Sequence, residues 1–254
     1  MKQVGPKRKN ILITGASSGI GEELAKQFAK LGRNLVLCAR REQRLTELAE
    51  HLQHSYPTIR VLVFALDVND EQQVFSVFSQ AAEQLGGLDR IIVNAGIGGG
   101  KMIGSGHYQH NKRIAETNFI GALTQCEAAM EIFRLQNHGH LVTMSSMSSE
   151  AGLGNTMTVY AATKAALKSM AQGIAIDTLS TPINVTSIHP GYIETEITNH
   201  NKKLPFMVDV HSGCKQIVKA IEKEVGNAFL PWWPWAIMRY VLLLAPNWLL
   251  RRFS

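Results

Sequence analysis

Short apolar segments alternate with longer stretches of helical periodicity along most of the chain, and this alternation constrains the fold more than any other feature. The apolar segments have the length of strands and are rich in Val, Ile and Leu, as in parallel strands buried on both faces of a sheet. The pattern is typical of βαβ units and predicts an α/β protein with a doubly wound parallel sheet. The predicted strands are 11–14, 34–39, 60–66, 90–94, 140–145 and 183–189, and the predicted helices are 20–31, 42–54, 70–85, 108–135, 157–180 and 211–225.

The composition indicates one folded domain. Of the 254 residues, 45% are hydrophobic and 18% are charged, which excludes a disordered chain and a coiled coil. Because one α/β domain of this length can bury most of its apolar surface, we predict a single domain over residues 1–254, with a core at 10–230 and an apolar, aromatic extension at 231–254. Cys38, Cys126 and Cys214 are far apart in sequence, so we predict no disulfide framework, no bound metal and a reducing compartment.

The chain is basic, with a formal net charge of +6 and an isoelectric point near 9.3. Basic residues are concentrated near both ends, but no basic stripe is interleaved with aromatic residues, so we do not expect nucleic-acid binding. A solvated basic surface is the favoured interpretation, and attraction to an anionic membrane surface is the alternative. The basic first residues are not followed by an apolar segment typical of a secretory signal, so we predict a cytoplasmic protein, with membrane association left open.

The C-terminal extension differs from the rest of the chain. Pro231-Trp-Trp-Pro-Trp235 leads into an apolar run to Leu250 that is interrupted by Arg239 and Pro246. The 16 residues from Trp235 to Leu250 are few for a membrane span. We favour a helix that packs on the core, walls a pocket or joins two subunits, and we leave contact with a membrane surface and a true span as alternatives.

A glycine-rich segment joins the first predicted strand to the first predicted helix. It runs Thr-Gly-Ala-Ser-Ser-Gly-Ile-Gly over 14–21, with the glycines spaced G-x-x-x-G-x-G. Glycine permits a sharp turn and a close backbone approach to a pyrophosphate, and the helix that follows presents free N–H groups and the positive end of its dipole. The segment therefore predicts a phosphate-binding loop formed by Gly15, Ser17, Ser18, Gly19, Ile20 and Gly21.

The end of the second predicted strand indicates which dinucleotide the loop binds. NAD sites of this kind usually have an acidic residue there, which bonds the ribose 2′-hydroxyl. Here Ala39 is followed by Arg40 and Arg41, whose guanidinium groups suit a 2′-phosphate. The sequence therefore predicts NADP(H) as the cofactor.

With these features the sequence resembles the short-chain dehydrogenase/reductase family over roughly residues 10–195. The resemblance implies a Rossmann fold, oxidation and reduction of a small alcohol or carbonyl substrate, and assembly into a homo-oligomer. Its motifs, in order, are Thr14–Gly21, Asp67-Val68, Asn94-Ala95-Gly96, Asn118, Ser145-Ser146, Tyr160-x-x-x-Lys164 and Pro190-Gly191.

Two Tyr-x-x-x-Lys spacings occur, at Tyr108–Lys112 and Tyr160–Lys164. The family's order of motifs favours the second pair, because Tyr160 follows a strand that ends in serines and begins an apolar helix. Residues four apart share a helix face, and an ammonium group near a phenol favours the phenolate. We therefore expect Lys164 to lower the pKa of Tyr160, the general acid and base of the reaction. The resemblance also assigns Lys164 to the nicotinamide ribose hydroxyls.

The resemblance implies two further catalytic roles. Ser146 lies 14 residues before Tyr160 and is expected to orient the substrate oxygen, with Ser145, Ser148 and Ser149 as alternatives. Asn118 is expected within a helix, where asparagine is unfavourable, and in the family this residue bonds the backbone and holds a water that links the lysine to solvent.

The remaining cofactor contacts are also implied by the resemblance. Asp67 and Val68 are expected beside the adenine, and the small residues of Asn94-Ala95-Gly96 are expected to let the cofactor pass. The nicotinamide contacts are expected from Pro190, Gly191 and Ile193, and Thr195 is expected near the phosphates.

The substrate is less constrained than the cofactor. Residues 192–215 contain lysines beside Leu204, Pro205, Phe206 and Met207, and we predict a mobile substrate lid there. This mixture and the apolar extension suggest a ketone or alcohol of apolar, lipid-like character. The alternatives are a non-catalytic NADP(H)-binding sensor and a membrane-surface scaffold.

Overall fold

A computed structural model describes residues 8–196 and 204–251, and its centre is a parallel sheet of seven strands in the order β3-β2-β1-β4-β5-β6-β7. The predicted α/β doubly wound fold is confirmed. The last strand, β7, pairs with β6 from Ser187–Asn227 to Pro190–Leu230 and was not among the six predicted strands. The strands are β1 Asn10–Thr14, β2 Asn34–Ala39, β3 Val61–Ala65, β4 Arg90–Val93, β5 Gly139–Met144, β6 Ile183–Pro190 and β7 Asn227–Leu230.

Helices cover both faces of this sheet, and the strand sequences explain how. Successive residues of a strand point to opposite faces, so Ile11 and Ile13 of β1 pack in one apolar cluster and Leu12 packs in the other. Helices α1, α2 and α7 close the first cluster, and α3, α5 and α6 close the second. The helices are α1 Gly19–Lys30, α2 Glu42–Ser55, α3 Glu71–Leu85, α4 Tyr108–Ala115, α5 Gly121–Gln136, α6 Thr158–Asp177, α7 Val210–Glu222, α8 Trp232–Leu244 and α9 Asn247–Leu250.

The helix predicted over 108–135 is interrupted. A π-helical segment, Glu116–Ile120, joins α4 to α5 and contains Asn118. Such a widened turn is often found at functional sites, because it displaces one residue from the regular hydrogen-bond ladder. Here it places the Asn118 side chain beside the backbone of Ile97, which follows β4.

The C-terminal helix α8 packs one of its faces on the core. Trp235 and Leu242 are buried and form an apolar cluster with Met147, which lies in the short turn after β5. Pro246 follows α8, and the short helix α9 begins after it. Among residues 8–196 and 204–251, no helix combines the length and the apolar character needed to cross a membrane.

A charged cluster closes the sheet at the amino ends of β4 and β5. Arg90 begins β4, is 1% exposed, and pairs with Glu222 at the end of α7. Its Nε donates to Nδ1 of His140 at 2.9 Å, and Nε2 of His140 lies 2.8 Å from the Thr186 hydroxyl. Arg8 adds a 2.7 Å ion pair with Glu224 on the same side. Charges buried this far are tolerated because each is paired and hydrogen-bonded.

Candidate active site

A crevice of about 720 Å³ opens at the carboxyl ends of the strands, where the strand order reverses between β1 and β4. Ligands of open α/β sheets bind at this position. Ser146, Tyr160 and Lys164 are on its walls, and Asn118 lies behind the wall, bonded to Ile97. The residues predicted for the cofactor also line it: Gly15, Ser17, Ser18, Gly19, Ile20, Gly21, Arg40, Arg41, Asp67, Val68, Asn94, Ala95, Gly96, Pro190, Gly191, Ile193 and Thr195.

The glycine-rich loop has the shape that a pyrophosphate requires. Gly15 and Gly19 have φ angles of +66° and +57°, which side chains rarely adopt. A Cβ on Gly21 would lie 2.3 Å from the carbonyl oxygen of Gly15, so only glycine lets α1 pack this close to the loop. Helix α1 begins at Gly19, and its first N–H groups are the donors that bind a phosphate in such sites. The loop therefore fits a dinucleotide.

Asn94 has a structural role at the floor of the crevice. Its Nδ2 donates to the carbonyl oxygen of Thr14 at 2.8 Å, and its backbone N–H donates to the Thr14 hydroxyl at 3.1 Å. These bonds tie the end of β4 to the end of β1. The carboxylate of Asp67 accepts bonds from the backbone and the side chain of Asn69, each 3.1 Å long.

Arg41 lies at the rim, beside the loop, and contacts a residue that sequence reasoning missed. Its guanidinium donates to the hydroxyls of Ser17 and Ser18 at 3.2 and 2.5 Å and to the carboxylate of Glu196 at 3.2 Å. Arg44, also missed, donates to the other oxygen of Glu196 at 2.8 Å. Hydrogen bonds from Arg44 and Arg41 lower the pKa of Glu196. The signal for Arg44 was its position one helical turn after Arg41.

The first two turns of α6 present Tyr160 and Lys164 to the crevice. The Tyr160 phenol forms a hydrogen bond with the Ser146 side chain. Lys164 is buried, and its Nζ donates to the carbonyl oxygen of Met144 at 2.8 Å and lies 5.8 Å from the centre of the Tyr160 ring. A hydroxyl, a phenol and an ammonium group thus lie together at the end of β5.

The expected lowering of the Tyr160 pKa is wrong for the protein alone. Burial raises the pKa of Tyr160, and this outweighs the hydrogen bond with Ser146, which lowers it. Burial also lowers the pKa of Lys164 to about 8. The Lys164 ammonium group donates to a backbone carbonyl oxygen and not to the Tyr160 phenol. Desolvation, which disfavours the charged form of each side chain, therefore dominates both pKa shifts.

The four candidate serines have separate environments. Ser145 donates to the carbonyl oxygen of Lys164 at 2.9 Å, and Ser149 donates to the carbonyl oxygen of Ser146 at 2.6 Å. The backbone N–H of Ser148 donates to the Ser146 hydroxyl at 3.2 Å. The side chains of Ser145 and Ser149 therefore hydrogen-bond to backbone carbonyls, and Ser146 is the serine whose side chain bonds Tyr160.

Asn118 contacts backbone on both sides of its amide. Its Oδ1 accepts from the N–H of Ile97, and its Nδ2 donates to the carbonyl oxygen of Ile97, both at 2.8 Å. A Cβ on Gly96 would lie 3.2 Å from Asn118 Oδ1 and 3.5 Å from Lys164 Nζ. Gly96 thus lies between the Asn118 amide and the Lys164 ammonium group, and its lack of a side chain keeps both groups close to its backbone.

The second Tyr-x-x-x-Lys pair lies on the surface. Tyr108 is 71% exposed at the start of α4, and Lys112 pairs with Glu116 at 3.3 Å. Neither side chain lines the crevice described above.

An aromatic group that includes Trp235 of the C-terminal extension lies beside Gly191, a residue of the crevice wall. The Trp235 indole packs on the backbone of Gly191, where an added Cβ would lie 2.1 Å from the ring. Its ring contacts Tyr192 and Phe206 edge-on, with centroids 5.4 and 6.2 Å apart. Sequence reasoning considered a pocket wall from the extension but did not single out Trp235.

The last part of the lid predicted over 192–215 is helical in the structure. Residues 197–203, with Lys202 and Lys203, lie outside the described residues. Ile193 bridges to Val208, and from Val210 the chain is helix α7. Cys214 is fully buried on that helix, so residues 210–215 are part of a helix that packs on the core.

Known proteins resemble this chain over most of its length. A family model described as short chain dehydrogenase matches residues 9–206. An uncharacterized oxidoreductase of Mycobacterium tuberculosis is 46% identical over 250 residues, which cover 98% of this chain and 99% of that protein. A Schizosaccharomyces pombe protein named NADP-dependent 3-hydroxy acid dehydrogenase is 33% identical over 194 residues, 75% of this chain and 73% of that one. The structure of a short-chain dehydrogenase from Sphingobium yanoikuyae in complex with NADPH has the same fold, with a TM-score of 0.82 at 24% identity over 92% of each chain.

Proposed function

The chain belongs to the short-chain dehydrogenase family, and from this premise we propose that it is an NADP(H)-dependent oxidoreductase that interconverts an apolar, lipid-like ketone and its alcohol. The observation that carries the proposal is the group formed by Ser146, Tyr160 and Lys164 on the wall of a crevice that begins at a phosphate-binding loop. A protein that only sensed the cofactor would not require this group.

Tyr160 acts as the acid in carbonyl reduction. Burial raises the pKa of Tyr160, so the phenol stays protonated near neutral pH and can give its proton to the substrate oxygen. Ser146 donates a second hydrogen bond to that oxygen and so stabilises the negative charge that develops there. When bound, the nicotinamide group would supply the hydride for the carbonyl carbon, so the C=O double bond becomes a C–O single bond and new C–H and O–H bonds form.

Lys164 and Asn118 restore the proton to Tyr160. Burial lowers the pKa of Lys164 to about 8, so its ammonium group gives up a proton more readily than an exposed lysine. Asn118 fixes the backbone of Ile97 beside this ammonium group and orients the route by which solvent protons return. Lys164 also offers donors to the ribose hydroxyls of the cofactor.

Two observations support NADP(H) over NAD(H). Arg40 and Arg41 follow β2 at the rim of the crevice, and Arg41 is already oriented by the hydroxyls of Ser17 and Ser18. A guanidinium group in this place suits a 2′-phosphate, because it can donate two parallel hydrogen bonds to it. The relative from Schizosaccharomyces pombe is also named NADP-dependent.

The substrate class is inferred from the aromatic group beside Gly191, at the wall of the crevice. Tyr192 and Phe206 each contact Trp235 edge-on there, and Met147 packs against Trp235. Such surfaces favour apolar substrates, because burial of each CH₂ group contributes about 0.8 kcal/mol, or about a fourfold gain in affinity.

The test is NADPH oxidation, followed at 340 nm, with linear ketones of increasing chain length and with small charged oxo acids. We expect kcat/KM to rise with chain length and to be low for the oxo acids. Tyr160→Phe is expected to abolish turnover while NADPH still binds, and Tyr108→Phe, in the exposed Tyr-x-x-x-Lys pair, is the matched control that should keep full activity. A preference for oxo acids would contradict the apolar substrate, and equal turnover by Tyr160→Phe would contradict the catalytic assignment.

A further inference from the structure

Helix α8 exposes apolar residues where a surface helix usually has polar ones. Trp235, Met238 and Leu242 lie on one side of the helix and pack on the core. The opposite side carries Ile237 and Leu244, and Leu244 is 80% exposed. A helix with apolar residues on its outer side as well as its inner side is normally covered there by protein or by lipid. The outer side of α8 therefore requires an occupant.

The exposed apolar surface continues on both sides of α8. It includes residues before the first regular turn and a tryptophan in α9, after Pro246. Contiguous apolar surface of this kind marks an interaction site on a folded protein. We name it the tail face; its six members each expose more than half of their surface, and they are Trp232, Trp233, Ile237, Leu243, Leu244 and Trp248.

The positive charge of the C-terminal segment indicates which partner covers the tail face. Residues 225–254 contain three arginines, Arg239, Arg251 and Arg252, and no aspartate or glutamate, while the whole chain has a net charge of +6. Arg239 packs on the Phe229 ring, but Arg251 is exposed after α9. An exposed arginine near a tryptophan suits the boundary between anionic headgroups and acyl chains, where an indole is half in water and a guanidinium meets phosphate. A second copy of the chain would instead bring equal positive charges together.

The dimensions of α8 favour a helix that lies on the membrane. Its 13 residues extend for about 20 Å, and a bilayer core is about 30 Å thick. The core contacts of Trp235 and Leu242 also fix one side of the helix to the protein. Only the outer side is therefore available to lipid.

We propose that the tail face docks this protein on an anionic lipid surface, with α8 parallel to the bilayer plane. Trp235 connects the docked helix to the crevice, because it packs on Gly191 in the aromatic group that it forms with Tyr192 and Phe206. Docking places that group near the membrane, from which an apolar substrate can enter. The lipid interaction does not depend on the proposed catalytic activity and is tested without it.

The experiment is sedimentation of the full chain with phosphatidylcholine vesicles, with and without phosphatidylserine. We expect the wild type to sediment with the anionic vesicles at low salt and less so as salt rises. All four tryptophans lie between 232 and 248, so the tryptophan emission reports on this segment alone and is expected to shift to the blue and to be quenched by brominated lipid.

Paired variants make the test specific. Leu244→Glu with Trp248→Glu is expected to weaken the partition at least about tenfold. Leu135→Glu with Leu179→Glu changes equally exposed leucines at the ends of other helices, and this control should keep wild-type partition. Arg251→Gln should weaken partition about fivefold. NADPH binding and the thermal unfolding midpoint, measured for each variant, show that the fold is retained.

Two results would overturn the proposal. One is a wild type that stays in the supernatant with both vesicle types. The other is a wild-type dimer, detected by sedimentation equilibrium, that Leu244→Glu with Trp248→Glu converts to monomer without any change in lipid binding, because the occupant would then be a second copy of the chain. Loss of turnover with intact lipid binding would bear on the proposed function only.

Discussion

Strands β4 and β5 carry buried polar residues at both ends, and the two ends are built differently. At the amino ends, Arg90 and His140 are enclosed in a network with Glu222 and Glu224, in which charges of opposite sign meet. At the carboxyl ends, Lys164 lies in the wall of the open crevice and donates to a neutral backbone carbonyl. The charge of Arg90 is neutralised by carboxylates, whereas the charge of Lys164 can act on a ligand in the crevice.

This difference separates stability from chemistry along the same two strands. A paired buried charge is costly to expose, and removal of one partner leaves the other uncompensated. A buried charge bonded only to a carbonyl destabilises the folded state somewhat, but it is free to exchange protons with a ligand. We therefore expect mutations at the amino ends to change folding and mutations at the carboxyl ends to change turnover.

The largest effect is expected from Lys164→Met, which removes, at similar volume, the cation that donates to the Met144 carbonyl oxygen. Loss of the proton route to Tyr160 should lower kcat/KM by about a hundredfold to ten-thousandfold. The free energy of unfolding should change by about 1 kcal/mol or less, because one hydrogen bond is lost and one desolvated charge is removed. Steady-state NADPH oxidation and urea denaturation measure the two quantities. A large loss of stability would show that Lys164 is mainly structural.

Arg90→Met is the matched change at the amino ends, and its effect should be the reverse. It removes one of the two buried arginines that pair with Glu222, the other being Arg33, and it removes the bond to His140. We expect a loss of about 3–5 kcal/mol in the free energy of unfolding, as for other broken buried ion pairs. The kcat per folded molecule should stay at the wild-type value. Urea denaturation checks the first expectation, and a drop in kcat at saturating substrate would contradict the separation of the two ends.

Acid should weaken both ends, through one buried histidine at each. Burial lowers the pKa of His140 well below 6.5 and that of His189, at the end of β6, to about 4. Below pH 6.5 the unfolded chain therefore binds protons that the folded chain does not, and stability falls by about 1.4 kcal/mol per pH unit for each histidine, until the pH reaches the folded pKa. Above pH 6.5 the two histidines are neutral in both the folded and the unfolded chain, so they no longer make stability depend on pH.

The measurement is the free energy of unfolding at pH 7.5, 6 and 5 for wild type, His140→Gln and His138→Gln. His140→Gln should show a shallower decrease with acid, and His138→Gln, which changes an exposed histidine, should follow the wild type. Equal slopes for all three proteins would contradict a neutral His140. Burial raises the pKa of Glu222, but Arg90 and Arg33 together lower it more, so the net shift is downward. Below about pH 4.5 the unfolded chain therefore binds a proton at Glu222 that the folded chain does not, and a further loss of stability is expected.

The parts of this molecule that depend on local periodicity could be predicted from sequence. Strand β2 begins and ends at the predicted residues. The residues predicted to bind the cofactor line one crevice, because parallel strands bring their carboxyl ends to one edge of the sheet. Strand β7, Asn-Ala-Phe-Leu, was missed, because it lacks the Val and Ile residues that mark β4, a strand of equal length. The direction of the Tyr160 pKa and the contacts of Trp235 depend on three-dimensional burial, which spacing along the chain does not encode.

The smallest expected effect lies at the rim of the crevice, where Glu196 accepts hydrogen bonds from Arg41 and Arg44. All three side chains are well exposed, so their ion pairs contribute little to stability. For the cofactor, the carboxylate is a competitor: a 2′-phosphate that binds the Arg41 guanidinium must displace it. Glu196→Gln should therefore tighten NADPH binding a few-fold at low salt and leave NADH binding unchanged, because NADH has no phosphate at that position. Fluorescence titrations with both dinucleotides measure this, with Glu194→Gln as a control. Weaker NADPH binding by Glu196→Gln would mean instead that the carboxylate orients the two arginines for the phosphate, and the rim would then resemble the paired network at the amino ends of the strands.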